Sequence, residues 1–259
     1  MKCKICGKEA GKIFDGKILK KYDIEYFFCP NCEHIQTEEP FWLKEAYADS
    51  ISDEDTGIMK RNLDNTITAA SILTSFYDIE GRFLDFAGGY GIFTRLMRDI
   101  GFDFVWDDKF SKNLFARGFE FSTDDKIELI TAFEVFEHLA YPMIELKNMF
   151  EITGDILFTQ KILPIPPLKQ DKWWYYAPNT GQHISFYTNK TLDYMAEKFN
   201  KKHLFKNDFH LFTSKDISEQ EFENAVLNDA LIYSRNLSEL KSKTSFDMEY
   251  IINKKAGLT

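Results

Sequence analysis

Asp85 opens the stretch of sequence with the most chemical meaning. Phe83-Leu84-Asp85-Phe86-Ala87-Gly88-Gly89-Tyr90-Gly91 is an apolar strand pattern that runs into a glycine-rich turn. Helical spacing then follows over Ile92–Ile100 and ends near Gly101. In an open α/β sheet, ligands bind beyond the carboxyl ends of the strands. Glycine accepts φ > 0 and lets a ligand approach the backbone closely. Such a loop alone says only that a nucleotide-like ligand or a plain structural turn is present. The next strand pattern ends in Trp106-Asp107-Asp108-Lys109. A carboxylate there, about twenty residues past the loop, can accept hydrogen bonds from both hydroxyls of a ribose. A later strand pattern ends in Thr131-Ala-Phe-Glu-Val-Phe-Glu-His138 and points toward the same crevice.

The second chemical group is at the N-terminus. All four cysteines lie in the first 32 residues, as Cys3-Lys-Ile-Cys6 and Cys29-Pro-Asn-Cys32. Each pair can turn two thiolates toward one ion, and Gly7 follows the first pair where amides must turn toward sulfur. Two such knuckles supply the four sulfurs that tetrahedral Zn2+ takes. Between them, Asp15-Gly16 reads as a turn, and Tyr22–Phe28 alternates like a strand. Residues 1–45 therefore read as a zinc ribbon, stabilised directly by its metal because so small a module buries little core. Redox chemistry is the weaker reading, since no βαβ pattern surrounds either pair. A catalytic zinc is disfavoured too, because four cysteines leave no open position.

The elements that must position these groups alternate. Phe41–Thr56 is an acidic, aromatic connector that includes Trp42, Tyr47, Asp49, Asp53, Glu54 and Asp55. Gly57–Tyr77 has helical apolar spacing. Strand patterns at Arg82–Phe86, Phe102–Trp106, Ile127–Phe133 and Asp155–Thr159 are separated by helical ones, including Met143–Phe150. Lys190–Phe199 reads as a further helix, and Leu204–Thr213 as the last two strands. This order predicts an α/β fold with a mostly parallel sheet and helices on both faces. Residues 46–259 would form that domain, with 217–259 as a helical tail.

These motifs carry a resemblance. Leu84–Gly91, the Asp108-Lys109 turn, Ala132-Phe-Glu-Val-Phe-Glu-His138 and Gly181-Gln-His-Ile-Ser-Phe-Tyr187 resemble those of class I S-adenosylmethionine (SAM) dependent methyltransferases. The chain looks closest to the bacterial group with an N-terminal zinc ribbon, associated with sugar and capsule or surface-polysaccharide modification. The resemblance implies a Rossmann-like, mostly parallel seven-stranded sheet, in which Asp85 orients the loop and, directly or through water, the methionine part of SAM. It implies that the backbone at Ala87, Gly88, Gly89 and Gly91 lies against the cofactor. It gives the ribose to Asp108, or to Asp107 if the strand ends one residue earlier. Phe133 and Glu134 would approach SAM from the fourth strand. Ala87 departs from the family's usual glycine, and its methyl group calls for ordinary φ/ψ and a slightly shifted turn.

Pro164-Ile-Pro-Pro167 stops regular structure, and Trp173-Trp-Tyr-Tyr176 follows. These aromatics either cover the crevice or pin their own loop to the core. His183, in the same segment, is the first candidate for a general base, because imidazole titrates near neutrality. The competing set is Glu134, Glu137 and His138, whose equivalents hold a divalent metal in the related quinone-precursor O-methyltransferases. A structural role for Glu137 and His138 is preferred.

The reading is an enzyme that moves a methyl group from SAM to an oxygen of a small molecule: a sugar, sugar nucleotide or capsule precursor. N- or C-methylation is the near variant. A methyltransferase-like binding protein that uses the ribbon to recognise a partner is the alternative. An NAD(P) oxidoreductase expects GxGxxG, a spacing absent from Gly88-Gly89-Tyr90-Gly91. The formal net charge of −9 disfavours nucleic acid as a partner. No apolar run approaches a membrane span, and the N-terminus lacks a signal-peptide pattern, so a cytoplasmic location is expected.

Overall fold

A computed structural model describes residues 1–48, 51 and 54–257. Asp49 and Asp53 of the acidic connector lie outside the described residues. In chain order the strands are β1 (Gly11–Ile18), β2 (Tyr22–Phe28), β3 (Ile35–Thr37), β4 (Arg82–Phe86), β5 (Asp103–Asp107), β6 (Ile127–Ala132), β7 (Ile156–Thr159), β8 (Ser185–Phe186), β9 (Lys202–Lys206) and β10 (Phe209–Thr213). The helices are α1 (Leu43–Ala46), α2 (Ile58–Phe76), α3 (Ile92–Ile100), α4 (Pro142–Ile152), α5 (Asn189–Lys198), α6 (Glu219–Leu227), α7 (Asp229–Asn236) and α8 (Thr244–Lys255). None of the described helices is long and apolar enough to cross a membrane. The chain divides into two compact units, Met1–Ser52 with Ala132–Ser214, and Asp53–Thr131 with Lys215–Thr259.

The second of these units carries the glycine loop. β4 is parallel to β5 on one side and to β6 on the other. The register pairs Asp85 with Trp106, and Phe86 with Asp107. The end of β4 and the end of β5 therefore come out side by side, which sets the glycine turn next to Asp107 and Asp108. Helix α2 packs against α3, α6 and α7. Helix α8 is tied to α3 by Arg98, whose buried guanidinium donates to both oxygens of the buried Asp247 at 2.8 and 2.7 Å. The polar tail is thus built into this unit.

The other unit contains the cysteines. β1 and β2 form an antiparallel hairpin, β3 pairs with β2, and β8 pairs with β3 in the register Ile35↔Phe186. The hairpin turns through Leu19, Lys20 and Lys21: Leu19 and Lys20 are both at φ above 50°, and Lys21 N donates to Ile18 O at 2.9 Å. Asp15-Gly16, read as the turn from sequence, is instead inside β1. Gly16 is there for space: a Cβ would sit 2.7 Å from the Tyr26 ring. The same unit holds β7, β10 and β9 as an antiparallel trio, with α4 and α5. Helix α5 starts on a capping box in which Thr188 and Thr191 satisfy each other's amides.

The α/β strands number six among the described residues, β4 to β7 with β9 and β10, where seven were expected. The seventh survives as a single parallel bridge between Trp106 and Glu120. Trp106 N donates to Phe119 O, and Phe121 N donates to Trp106 O, both at 2.8 Å. The pairing stops because Ser122 and Asp125 close a turn at once.

Candidate active site

The loop after β4 is held from below by Asp85. Its buried carboxylate accepts from Thr94 Oγ1 at 2.7 Å, so the strand end is fastened to the first turn of α3. Burial pushes this carboxyl up to about 7, against the pull of the Thr94 hydrogen bonds and with the help of the Asp108 charge. Gly88 allows the close approach: a Cβ there would lie 2.6 Å from Asp85 Oδ2 and 2.8 Å from the Trp106 ring. Gly91 caps α3 at φ 81, in the left-handed region open to glycine.

Asp108 also holds this loop. Its Oδ2 accepts from Gly89 N at 3.0 Å, and its Oδ1 accepts from Phe110 N and Ser111 N at 2.7 Å each. Asp107 takes part in none of these bonds. It ends β5 and is half-buried, and its carboxyl is raised by burial and by the adjacent Asp108 charge. Trp106 Nε1 closes the cradle by donating to Gly89 O at 3.0 Å. Asp85, Ala87, Gly88, Gly89, Gly91 and Asp108 therefore lie together around one turn. Thr94 and Trp106 were missed, since nothing in an apolar strand or helix pattern marks them as loop supports.

Phe133, Glu134 and His183 belong to the unit that carries the cysteines. Phe133 packs edge-on against Phe209. Glu134, at φ 56, is locked to Thr159: its amide donates to Thr159 Oγ1, which donates back to Glu134 Oε1 at 2.8 Å. His183 lies beside Glu137 and His138, and one ligating atom from each of the three lies within 4.8 Å of the others. The carboxylate that joins His138 and His183 is thus Glu137, and Glu134 is not in the group.

Each member of this trio has a partner. His183 Nδ1 is 2.6 Å from Tyr175 O. A carbonyl only accepts, so Nδ1 carries the proton and Nε2 keeps its lone pair. Burial lowers His183 to about 4, so its imidazole is neutral at physiological pH. Tyr175 Oη donates to Glu137 Oε1 at 2.7 Å, and Tyr47 Oη lies 3.0 Å from His138 Nδ1. Tyr47 and Tyr175 were not singled out from sequence.

The aromatic loop settles the choice between cover and core. Tyr175 and Tyr176 are buried and share a core with Ile18, Ile24, Tyr26 and Ile35 of the ribbon. Only Trp174 stands out, 73% exposed.

The four cysteines converge. Sγ of Cys3 is 3.6 Å from that of Cys32, and Sγ of Cys6 is 3.4 Å from that of Cys29. All four sulfurs lie within 4.8 Å of one another. Tetrahedral zinc, with Zn–S of about 2.3 Å, needs sulfurs at this kind of spacing. The two knuckles match: Gly7 N donates to Cys3 O, and Glu33 N donates to Cys29 O, with φ 71 and 62.

Ala87 corrects one expectation. It takes φ 55, the left-handed region, instead of an ordinary conformation. The turn keeps its shape because the next amide, Gly88 N, donates to Asp107 O at 3.0 Å. The methyl group then carries a strain of about 1 kcal/mol. Ala87→Gly is expected to raise stability by about that amount in urea denaturation; a loss of stability would place the strain elsewhere.

A protein-family profile described as a methyltransferase domain matches residues 59–202. Comparison with curated proteins gives no match. Among solved structures, human N-acetylserotonin methyltransferase in complex with SAM is 15% identical; the alignment covers 58% of this chain and 51% of that one, with a TM-score of 0.44. Magnesium protoporphyrin IX methyltransferase from Synechocystis, with bound SAH, is 10% identical over 66% of this chain and 93% of its own, TM-score 0.46. An O-methyltransferase family protein from Burkholderia thailandensis is 10% identical over 67% and 64%, TM-score 0.47. The chain spans about half the length of the first of these. With more than half of its residues under the profile, the chain belongs to the methyltransferase domain family.

Proposed function

We propose that the protein transfers the methyl group of SAM to an oxygen of a small-molecule acceptor, a sugar, sugar nucleotide or capsule precursor. The observation that carries the SAM reading is the cradle at the end of β4: a buried carboxylate beneath a turn that a Cβ at Gly88 would fill. The sugar class rests on the resemblance of the sequence alone.

SAM supplies a methyl group already activated on a sulfonium, so much of the catalysis is positioning. Asp85 would hold the cationic methionine end, directly or through water, and the backbone of Ala87 to Gly91 would lie against the cofactor. Asp107 takes the ribose hydroxyls, because the strand ends there and Asp108 is committed to the loop amides. His183 Nε2 would take the proton of the acceptor's hydroxyl, whose oxygen would gain the methyl group as the sulfur–methyl bond of SAM breaks and S-adenosylhomocysteine leaves. Zinc on Cys3, Cys6, Cys29 and Cys32 is structural and takes no part in the chemistry.

Asp85 gives a pH test. Its carboxyl titrates at about 7 and must be ionised to balance a cationic ligand. Below pH 7, binding must release a proton, so calorimetric SAM affinity is expected to fall up to about tenfold per pH unit, and to level off above 8. Asp85→Asn should bind SAM weakly and without this slope. An unchanged slope would remove Asp85 from the site.

His183→Ala is expected to lose about 10²- to 10⁴-fold in transfer of labelled methyl to a panel of sugars and sugar nucleotides, with SAM affinity kept. Because burial holds His183 at about 4, the wild-type rate at saturating SAM should stay flat down to about pH 5. Unchanged turnover in the variant would end the base assignment. The quinone-precursor alternative, with a divalent cation, draws support from the closeness of the Glu137, His138 and His183 donors. Turnover abolished by removing divalent cations, with the ribbon still loaded, would establish it.

A further inference from the structure

Apart from His138 and His183, a second pair of imidazoles lies in a line of four groups. Asp193 Oδ1, on α5, is 2.7 Å from His203 Nδ1 on β9. His203 Nε2 is 2.9 Å from His210 Nδ1 on β10. His210 Nε2 is 3.2 Å from Gln160 O, just past the end of β7. Both nitrogens of each ring are therefore engaged. The two ring planes differ by only 14°, and nitrogens 2.9 Å apart are too close for stacked planes. The rings thus meet edge to edge, with the contact in the plane of both, as a hydrogen bond to a ring lone pair requires. The line runs from surface to core: the Asp193 side chain is 54% exposed, that of His203 2%, and His210 is fully buried.

Three protons are needed along this line. The Gln160 carbonyl can only accept, so one proton sits on His210 Nε2. The contact between the rings takes a second, on one of the two facing nitrogens. The contact with Asp193 takes a third. A carboxyl open to water is a far stronger acid than an imidazolium, so this proton belongs to His203 Nδ1. Two neutral imidazoles carry only two N–H protons between them. The rings therefore hold one proton more, and its positive charge faces the Asp193 carboxylate. Burial, together with the charge of His203, lowers His210 to about 3, so the charge rests on His203. Among the described residues no other titratable group bonds to either ring. Phe205 and Phe212 lie against the ring of His203, and Phe158 against that of His210.

We infer that Asp193, His203 and His210 form a pH-sensitive clasp, in which one extra proton on the paired rings ties α5 to β9 and β10. The clasp is independent of the methyl-transfer reading. When the proton leaves, two protons must serve three contacts, and one contact fails. The contact that fails is the one at Asp193. An exposed carboxylate can turn into water, whereas two bare ring nitrogens facing each other in the core cannot. His203 therefore gives up the proton on Nδ1 and keeps the one on Nε2. The folded chain holds a proton here that the unfolded chain gives up near neutrality. The contribution of the clasp to stability is thus present in mild acid and is lost as pH rises through the release.

The test is 15N NMR of the histidine rings in the full, zinc-loaded chain, from about pH 6 to about pH 9. At the acid end, His203 should be protonated on both nitrogens and His210 on Nε2 alone. Raising the pH should strip Nδ1 of His203 and leave the other two ring protons in place. Two neutral rings at the acid end, two charged ones, or loss of the His203 Nε2 proton first would overturn the proposal. In Asp193→Asn the amide can donate to His203 Nδ1 and complete all three contacts with two ring protons. The release should then move to lower pH, and the stability that the wild type loses over this range in urea denaturation should shrink. Glu197→Gln removes a charge one turn further along α5 and should leave the ring signals and the pH slope as in the wild type. Equal effects of the two variants would reduce the clasp to general surface charge. An unchanged release in Asp193→Asn would remove Asp193 from it.

Discussion

The pairing of β3 with β8 ties the cysteine module to the histidine loop. Only Ile35↔Phe186 and Gln36↔Ser185 are in register, yet this short ladder makes Ser185-Phe186 the fourth strand of the ribbon sheet. Once it is there, Phe186 packs against Tyr26 and Tyr176, and the loop before it is drawn over the ribbon core. The backbone of Tyr175 then meets His183, and its hydroxyl meets Glu137. The pairing acts together with the bonds of Trp42 to Gly181 and of Gln182 to Ala46, which hold the same loop. A module that looks detachable in the sequence is the wall on which the loop is built.

The glycine loop obeys a different constraint, that of parallel register. Asp85 opposite Trp106, and Phe86 opposite Asp107, put one strand's turn beside the next strand's carboxylates. The loop then draws in its neighbours: Asp108 and Trp106 side chains each bond to Gly89, one to its amide and one to its carbonyl. The Asp108 carboxylate, at the place where the sequence sets a ligand contact, is also a brace for the loop. The strain at Ala87 is offset by the same hydrogen bonds, since they fix the turn whatever residue occupies it.

What could be read in the sequence follows physical range. Strand, glycine turn and helix over residues 82–100 are local and periodic, and they fold as their pattern implies. The cysteine pairs are legible because sulfur chemistry leaves few uses for four clustered thiols. Asp15-Gly16 misled because a glycine needed for space under a tyrosine ring looks, in one dimension, like a glycine needed for a turn. The seventh strand faded because Ser122 and Asp125 close a turn after one bridge. Tyr47 reads in the sequence only as one aromatic of the connector. Its partner lies 91 residues away, and a tyrosine in an acidic connector carries no periodic or motif signal.

The order in which this chain leaves the ribosome gives the ribbon an unusual history. Its cysteines and hairpin are made first, and zinc can close the two knuckles as soon as residue 32 is out. The hydrophobic partners that complete its core, Leu163, Tyr175, Tyr176, Ile184 and Phe186, are made more than a hundred residues later. Closing so long a loop is slow in folding terms, because chain entropy is lost before the contacts form. Until then Tyr26, Ile24 and Ile35 have only the early-made part of their core, from Ile18, Trp42 and Ala46, to pack against.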